Sequence, residues 1–484
     1  MIPRYISKII KDIQTAGYEA YIVGGCVRDI LMKKEPKDWD ITTNALPEQM
    51  LKVFPEAKYE NSFGTVLLPI RALAKGDEIK GKLEDVVEIT TYRSEQGYSD
   101  RRHPDTVQFE TELDKDLERR DFTINALALD PGKPEEIIDL FGGTKDIKLK
   151  IIRAVGEPSD RFKEDALRML RAVRFSSQLG FELEPKTQRA IVKLAGSLKF
   201  VSKERIRDEF IKILASERPS EGIMLLHECK LLQYILPELE QGIGVNQDRH
   251  HIYPVFKHNI LALKYCPSQE WPVRLAALFH DIAKPKTRKI IDNIATFYNH
   301  EYLGAKMTEK IMARLKFSSA DQTRVVNLVK NHMFYYNVGE VTAASVRRLI
   351  VKVGKENLKD LIDLRIADRL GSGTPKAMPY KLRHLQYMME KVQNDPISVK
   401  MLKLNGDEIM KILDIVPGPK IGAILDVLLG EVLEDPELNN LVWLKKRVKE
   451  LNEFDLEELR LKAKEVIAEK REEDDKSIKK HFKV

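Results

Sequence analysis

Between Tyr21 and Thr43 the chain reads YIVGGCVRDILMKKEPKDWDITT, and no other stretch narrows the possible folds as far. Tyr21–Val23 is a short apolar run of strand character. Gly24 and Gly25 follow; lacking Cβ atoms, they let the backbone turn and approach a ligand closely. Cys26–Met32 then reads as a helix start, whose free N–H groups favour an anion. Arg28 adds a planar fork of donors suited to phosphate oxygens. The stretch ends on Asp38-Trp39-Asp40. On a strand, residues i and i+2 share a face. Asp38 and Asp40 are therefore expected side by side, with Trp39 and Ile41 turned to a core. Two adjacent carboxylates repel unless a cation lies between them. Mg²⁺, held by carboxylates together with substrate phosphates, is the natural occupant. A Gly-Gly turn or an acidic strand end alone would be ordinary; in this order they indicate a phosphate-and-metal site.

A chain of 484 residues has room for two to four domains, and 43% apolar residues suit globular cores. The formal net charge of +6 is compatible with a nucleic-acid partner, and with both signs abundant any basic patch must be local. Cys26, Cys229 and Cys266 fit neither a disulfide framework nor zinc spacing, which points to a reducing, cytoplasmic setting. No apolar run has the length of a membrane span. The opening MIPRYISKIIKDIQTAGY alternates apolar and charged residues at helical spacing and reads as an amphipathic helix of the fold.

Residues 1–142 mix short strand-like runs (Tyr21–Val23, Trp39–Thr42, Thr65–Pro69, Val86–Thr91, Ile137–Leu140) with helical stretches, an α+β pattern. Ala74–Lys82 reads as a loop between strands, and Ser94–Asp105 as a polar, mobile loop. From about Asp146 strand signals nearly vanish and helices follow one another, broken at prolines and glycines. Asp455–Val484 is a highly charged, solvated helix-like tail.

Two further stretches carry chemistry. In LERRDFTINALA, Arg119, Arg120, Asp121 and Asn125 gather at an expected helix start, where Asp121 would cap the helix and orient the arginines while Asn125 reaches a sugar hydroxyl or phosphate. In EDALRMLRAVRF, Asp165 and Arg168 are spaced i, i+3, neighbours on a helix surface, and Arg171 and Arg174 continue the stripe. Cytosine and adenine each present an exocyclic amine donor beside a ring-nitrogen acceptor. A carboxylate accepting from the amine and a guanidinium donating to the ring nitrogen would select them. Guanine and uracil present the reverse pattern and would leave both groups unpaired, which a closed site penalises heavily.

These residues match a known family. GGCVRD (Gly24–Asp29), DWD (Asp38–Asp40), ERRDFTINA (Glu118–Ala126), DLFGG (Asp139–Gly143), EDALRMLRAVRF (Glu164–Phe175) and SKERIRDEF (Ser202–Phe210) occur in the order seen in bacterial class II CCA-adding enzymes. The chain resembles these tRNA nucleotidyltransferases, relatives of bacterial poly(A) polymerases, from about Gly24 to at least Leu441. The resemblance implies a nucleotidyltransferase palm over 1–142, a small mixed sheet with helices. All-α domains would follow: a neck over 143–215 that recognises the base, a body with an HD domain over 216–390, and a tRNA-binding tail over 391–484. It implies that Gly24, Gly25 and Arg28 hold the triphosphate and that Asp38 and Asp40 are catalytic and bind two Mg²⁺. Asp165 and Arg168 would read the base, while Arg120, Asp121, Asn125, Arg171 and Arg174 line the nucleotide pocket. Glu88 is a possible third acidic group. NSFGTVLLP (Asn61–Pro69) resembles the tRNA-specific version of a segment that is basic in poly(A) polymerases. Thr91–Asp105 would supply the loop that CC-only enzymes lack.

His258, His280, Asp281, His300, His332 and Asp368 form another constellation, in helical sequence. LFHDIAKPK (Leu278–Lys286) and LRIADRLG (Leu364–Gly371) resemble the HD phosphohydrolase superfamily. Imidazole and carboxylate ligands suit Ni²⁺, Mn²⁺, Fe or Zn²⁺ better than Mg²⁺, and His300 with His332 would permit two metals. His250 and His251 fall outside the pattern. Asn405–Gly422 resembles the family's tRNA-contacting helices, with Lys420–Gly422 opening a helix after a Pro-Gly-Pro break. The expected function is template-independent addition of C, C and A to the tRNA 3′ end from CTP and ATP, with contacts along the acceptor arm. The rivals are poly(A) synthesis, addition of CC or A alone, a mainly HD-based phosphatase or 2′,3′-cyclic phosphodiesterase, and a tRNA-binding protein with an inactive palm.

Overall fold

An amphipathic helix and a mixed sheet set the core of the N-terminal region. The computed structural model describes residues 2–59, 64–69, 86–96, 106–247, 252–334, 343–374, 376–393, 402–434 and 436–462. In it α1 (Arg4–Thr15) buries Ile6, Ile9, Ile10 and Ile13, the i, i+3, i+4, i+7 face of the expected helix. That face packs with Ile22, Val27, Ile41, Val66 and Ile89 in one apolar cluster. β1 (Ala20–Val23), α2 (Gly25–Leu31) and β2 (Asp40–Thr43) form the opening motif. α3 (Pro47–Val53) adds Met50 to the same core. With β3 (Lys58–Tyr59), β4 (Thr65–Pro69) and β5 (Val86–Thr91), and later β8 (Ala128–Leu129) and β9 (Ile137–Ile138), these strands make one seven-stranded sheet, ordered β3-β4-β5-β2-β1-β8-β9. Only β2 and β5 run parallel, in a register that sets Asp40 opposite Glu88. The other pairs are antiparallel, so the sheet is mixed as expected.

Three strand expectations change. β2 starts at Asp40, and Asp38 sits in the preceding bend rather than on the strand. Ser94–Gln96 is not loop: β6 (Arg93–Gln96) pairs antiparallel with β7 (Thr106–Phe109), cross-strand hydrogen bonding supplying what side-chain alternation did not signal. Strands also recur beyond Asp146, in small ribbons too short to leave a sequence pattern. Residues 60–63, 70–85, 97–105 and 463–484 lie outside the described residues, and with them most of NSFGTVLLP's first half, the Ala74–Lys82 loop, all of the Ser94–Asp105 segment after Gln96 and most of the charged tail.

α4 (Leu113–Glu118) buries Leu113 and Leu117 against Val23, Tyr92 and Ala128. β8 (Ala128–Leu129) and β9 (Ile137–Ile138) complete the sheet. α5 (Gly143–Leu149) begins where a Cβ on Gly143 would lie 2.1 Å from the Thr123 carbonyl oxygen, which accounts for the glycine of DLFGG. β10 (Ile151–Ile152) pairs parallel with β11 (Glu182–Leu183). Around this ribbon lie α6 (Pro158–Glu164), α7 (Leu167–Leu179), α8 (Pro185–Leu194) and α9 (Lys203–Leu214). Further helices follow, among them Val255–Lys264, Trp271–Phe279, His300–Arg314 and Ser319–Asn331, interrupted by a hairpin, Lys289–Ile291 with Ile294–Thr296.

By internal packing Met1–His332 with Ile362–Thr374 forms one compact unit, and Met333–Leu361 with Pro375–Val484 a second. In the second, helices Gly406–Leu413, Pro419–Glu434 and Leu441–Leu451 enclose Leu404, Ile409, Ile424, Leu428, Leu444 and Val448. The helix expected after the Pro-Gly-Pro break opens at Pro419.

Candidate active site and a second ligand cluster

A cavity of about 580 Å³ in the first unit is lined by Gly24, Gly25, Arg28, Asp38, Asp40, Arg119, Arg120, Asp121, Asn125, Asp165, Leu167, Arg168, Arg171, Arg174, Phe175 and Arg205. Every residue that the sequence assigns to the nucleotide site is among them. Glu88 is not, although it pairs in register with Asp40. The turn that opens the cavity needs glycine at 24: its φ is +83°, and a Cβ there would stand 3.0 Å from Arg120 Nη1. Asp38 is exposed and Asp40 half-buried. Burial raises the Asp40 carboxyl above its ordinary pKa; Arg120 opposes the shift and Asp38 adds to it. An all-oxygen pair whose charges strain one another fits a hard divalent cation.

Seven arginines and four aspartates line the cavity, and several arginines are held by hydrogen bonds from neighbouring elements. Arg28 donates through Nε and Nη2 to Asp29 Oδ1 at 2.9 and 2.7 Å, and through Nη1 to Asn125 Oδ1 at 2.8 Å. Asn125 Nδ2 donates to Asp121 Oδ1 at 3.2 Å, and Asp121 Oδ2 accepts from Arg171 Nε at 2.6 Å. This chain corrects the reading of Asp121. It caps no helix, because α4 has already ended and Thr123–Asn125 is a single 3₁₀ turn without a side-chain cap. The arginine it orients is Arg171, fifty residues later. Burial pushes Asp121 up, but Arg171 and Arg168 outweigh it and hold the carboxyl below its ordinary value.

Asp165 and Arg168 do not form a helix-surface pair. α6 ends at Glu164, Asp165 takes an extended conformation, and α7 starts at Leu167. Asp165 Oδ1 accepts from Leu167 N at 3.0 Å, while Oδ2 accepts from Arg205 Nη2 of α9 at 2.6 Å. Arg168 pairs instead with Glu164 and donates to the Arg119 carbonyl at 3.0 Å. The two groups still line one cavity. Sequence reasoning missed Arg205 and Phe175, though both stand in quoted motifs. Phe175 carries the guanidinium carbons of Arg28, Arg171 and Arg174 at 5.5, 5.4 and 4.4 Å from its ring centre, a shared cation–π support. Arg174 also donates to Glu209 at 3.0 Å; burial and the adjacent Arg171 bring its pKa down to about 10.

The six HD residues meet in a second, sealed cluster. All are buried. His258, His280 and Asp368 form one group of ligand atoms, Asp281, His300 and His332 another, each within 4.8 Å. Asp281 spans both: Oδ2 lies 3.2 Å from His258 Nε2 and Oδ1 lies 3.2 Å from His300 Nε2. His280, His300 and His332 turn Nδ1 to the carbonyls of Ala277, Phe297 and Val329 at 2.8, 2.7 and 2.7 Å. Such bonds orient an imidazole and leave Nε2 for a metal. Lys284 Nζ, 2.6 Å from Asp281 Oδ2, was not anticipated. Burial favours neutral His280, but Asp281 and Asp368 overcome it and push the ring up to about 10. Burial and the nearby His280 drive His332 down to about 3. His250 and His251 lie outside the described residues.

Known proteins bear on both sites. Residues 20–153 match the poly A polymerase head domain, 180–243 a probable RNA and SrmB-binding site of polymerase A, and 261–372 the HD domain. His258 precedes that last match, yet its Nε2 is 3.0 Å from His280 Nε2. An A-adding tRNA nucleotidyltransferase of Deinococcus radiodurans is 37% identical over 350 residues, 68% of this chain and 78% of that protein. A CCA-adding enzyme of Enterococcus faecalis is 32% identical over 433 residues, 88% of this chain and 90% of its own. The chain belongs to the tRNA nucleotidyltransferase family. With some other curated relatives the match spans about half of their length. The crystal structure of a Bacillus stearothermophilus CCA-adding enzyme in complex with CTP superimposes on this tRNA nucleotidyltransferase with a TM-score of 0.61 at 28% identity, over 94% of this chain and 98% of that one. Nucleotidyltransferase and HD domains generally use divalent metals. Among the described residues no helix is long and apolar enough to cross a membrane.

Proposed function

We propose that this tRNA nucleotidyltransferase adds C, C and A to the 3′ end of tRNA from CTP and ATP, without a nucleic-acid template. The observation that carries the reading is a single cavity holding both a carboxylate pair beside a Gly-Gly turn and, on its helical side, Asp165 with Arg168. The RNA 3′-hydroxyl oxygen attacks the α-phosphorus and gives up its proton to solvent, the bond to the bridging oxygen breaks, and pyrophosphate leaves. Asp38 and Asp40 would hold Mg²⁺, which would lower the pKa of the attacking hydroxyl and offset charge on the leaving group. Gly24, Gly25, Arg28 and Arg120 bind the triphosphate. Asn125 meets the sugar or a phosphate. Asp165 accepts from the base amine and Arg168 donates to the ring nitrogen, each leaving its present partner. Arg171 and Arg174 keep the pocket cationic. The second unit, with Asn405–Gly422, contacts the acceptor arm by shape and phosphate, so tRNA binding weakens with salt. The test supplies tRNA ending before CCA with Mg²⁺ and each labelled nucleotide, singly and together. CTP alone gives two C, and both nucleotides give one further A. A long A tract would indicate poly(A) synthesis, and A added only to tRNA ending in CC would indicate the terminal step alone, the activity in the Deinococcus relative's name.

The preformed histidine–aspartate cluster favours a second activity. The HD region would hold Ni²⁺ or Mn²⁺ on its two ligand groups and hydrolyse phosphoesters such as 2′,3′-cyclic ends. Hydrolysis that survives Asp281→Ala would remove the cluster from that role.

A further inference from the structure

We propose that Asp116 is a positioning residue for the phosphate end of the nucleotide cavity, holding Arg119 and Arg120 as one unit against the metal-bearing strand. The inference rests on the nucleotidyl-transfer reading above. Asp116 lies on α4, outside every motif that the sequence singles out, and its side chain has 0% exposure. Oδ1 accepts from Arg119 Nε at 2.9 Å and Nη2 at 2.6 Å. Oδ2 accepts from Arg120 Nη2 at 3.0 Å and lies 3.3 Å from Thr42 Oγ1, whose single hydroxyl proton is shared between Asp116 and the Thr90 carbonyl at 3.2 Å. The i, i+3 and i, i+4 spacing brings both guanidiniums to one carboxylate as the helix ends.

Thr42 gives the arrangement its direction. It lies two residues beyond Asp40 on β2, and thus on the same face. One buried carboxylate therefore joins the strand that carries Asp40 to two arginines that line the cavity. Arg120, so held, reaches the Gly24 turn, where a Cβ would meet its Nη1 at 3.0 Å, and its charge acts on Asp40. A guanidinium between a glycine turn and a metal-binding carboxylate is placed for triphosphate oxygens, not for the base. Asp116 is itself screened from substrate by the arginines it holds, so its effect is felt only through them.

The test is steady-state CMP and AMP addition by Asp116→Asn. The amide keeps the size but loses the charge and turns a donor toward one of the arginines. KM for CTP and for ATP should rise about tenfold or more by a common factor, with kcat falling less and the CTP:ATP preference within about twofold of wild type. Combined with Arg120→Lys, the loss should be clearly smaller than the product of the two single losses, since both remove one arrangement. If Asp116→Asn does not fold, Thr42→Val keeps the ion pairs but frees the carboxylate from the strand, and should raise both KM values about twofold. Unchanged KM values in the folded variant, a changed base preference, or losses that multiply in the double variant would overturn the proposal. A wild-type protein that adds no nucleotide to tRNA would instead overturn the parent reading.

Discussion

The nucleotide cavity and the histidine–aspartate cluster belong to one compact unit, yet they hold charge in opposite ways. The cavity is open and cationic, with arginines tied to carboxylates, a carbonyl or a ring that are themselves part of the fold. Its groups are arranged but engaged with one another: Asp165 with Arg205, Arg168 with Glu164. A substrate must exchange these partners, and a large polyanion with a hydrogen-bonding base has the contacts to do so. The cluster is sealed, and its ligand atoms converge without a substrate. Asp281 and Asp368 push His280 upward, so a cation held among these ligands would compete with protonation of the ring. On the proposed reading the first site would exchange a large ligand and the second would retain a small one.

The strongest way to break the comparison is to cross the two sites. Asp40→Asn should lower nucleotide addition on the order of 10³-fold and leave cyclic-phosphate hydrolysis unchanged. Asp281→Asn should do the reverse, and should also lower the metal content of purified protein, read by elemental analysis. Loss of both activities in either variant would mean that the sites are coupled or that one site does both reactions. A smaller effect is expected at the base. In Asp165→Asn the proposed acceptor for the base amine becomes an amide able to donate, and Arg205 loses its ionic partner. Discrimination against UTP should fall by about 1–3 kcal/mol, roughly 5- to 150-fold, measured as the ratio of kcat/KM values. An intact ratio would remove Asp165 from base selection while leaving the metal pair untouched.

Much of this was legible in the sequence, and the gaps have physical causes. Short-range patterns held: the isoleucines of α1, the Gly-Gly turn and the parity of Trp39 and Ile41 each follow from local geometry. The six HD residues were named from spacing and resemblance, and the fold assembles them. What failed was partner choice. Asp165 and Arg168 look like an i, i+3 pair until a helix break separates their directions and partners arrive from Glu164 and from α9. Asp121 looks like a cap until Arg171 reaches it from another element. Asp38 looks like a strand residue until the strand begins two positions later. Asp116 stands at i, i+3 and i, i+4 to Arg119 and Arg120, but such a pattern reads as a solvated helix face until tertiary contacts bury it.

The mildest effect concerns acid, and it sharpens the claim that the cavity's arginines are held by the fold itself. Burial alone would raise the Asp116 carboxyl, but Arg119 and Arg120 outweigh it and bring the group from 3.8 to about 2. A carboxyl whose pKa falls on folding stabilises the fold above its unfolded value, and that contribution is lost as pH falls toward the folded one. The full contribution is about 2 kcal/mol, of which about 1 kcal/mol is lost between pH 6 and pH 3. Asp116→Asn cannot titrate there, whatever fixed destabilisation it brings. The stability gap between wild type and variant in urea should therefore narrow by about 1 kcal/mol over that range. The Asp281 and Asp368 carboxyls are also lowered, but they are common to both proteins and drop out of the difference. A gap that stays constant down to pH 3 would mean that Asp116 is not held as a carboxylate by the arginines, and would weaken the case that they are positioned before substrate arrives.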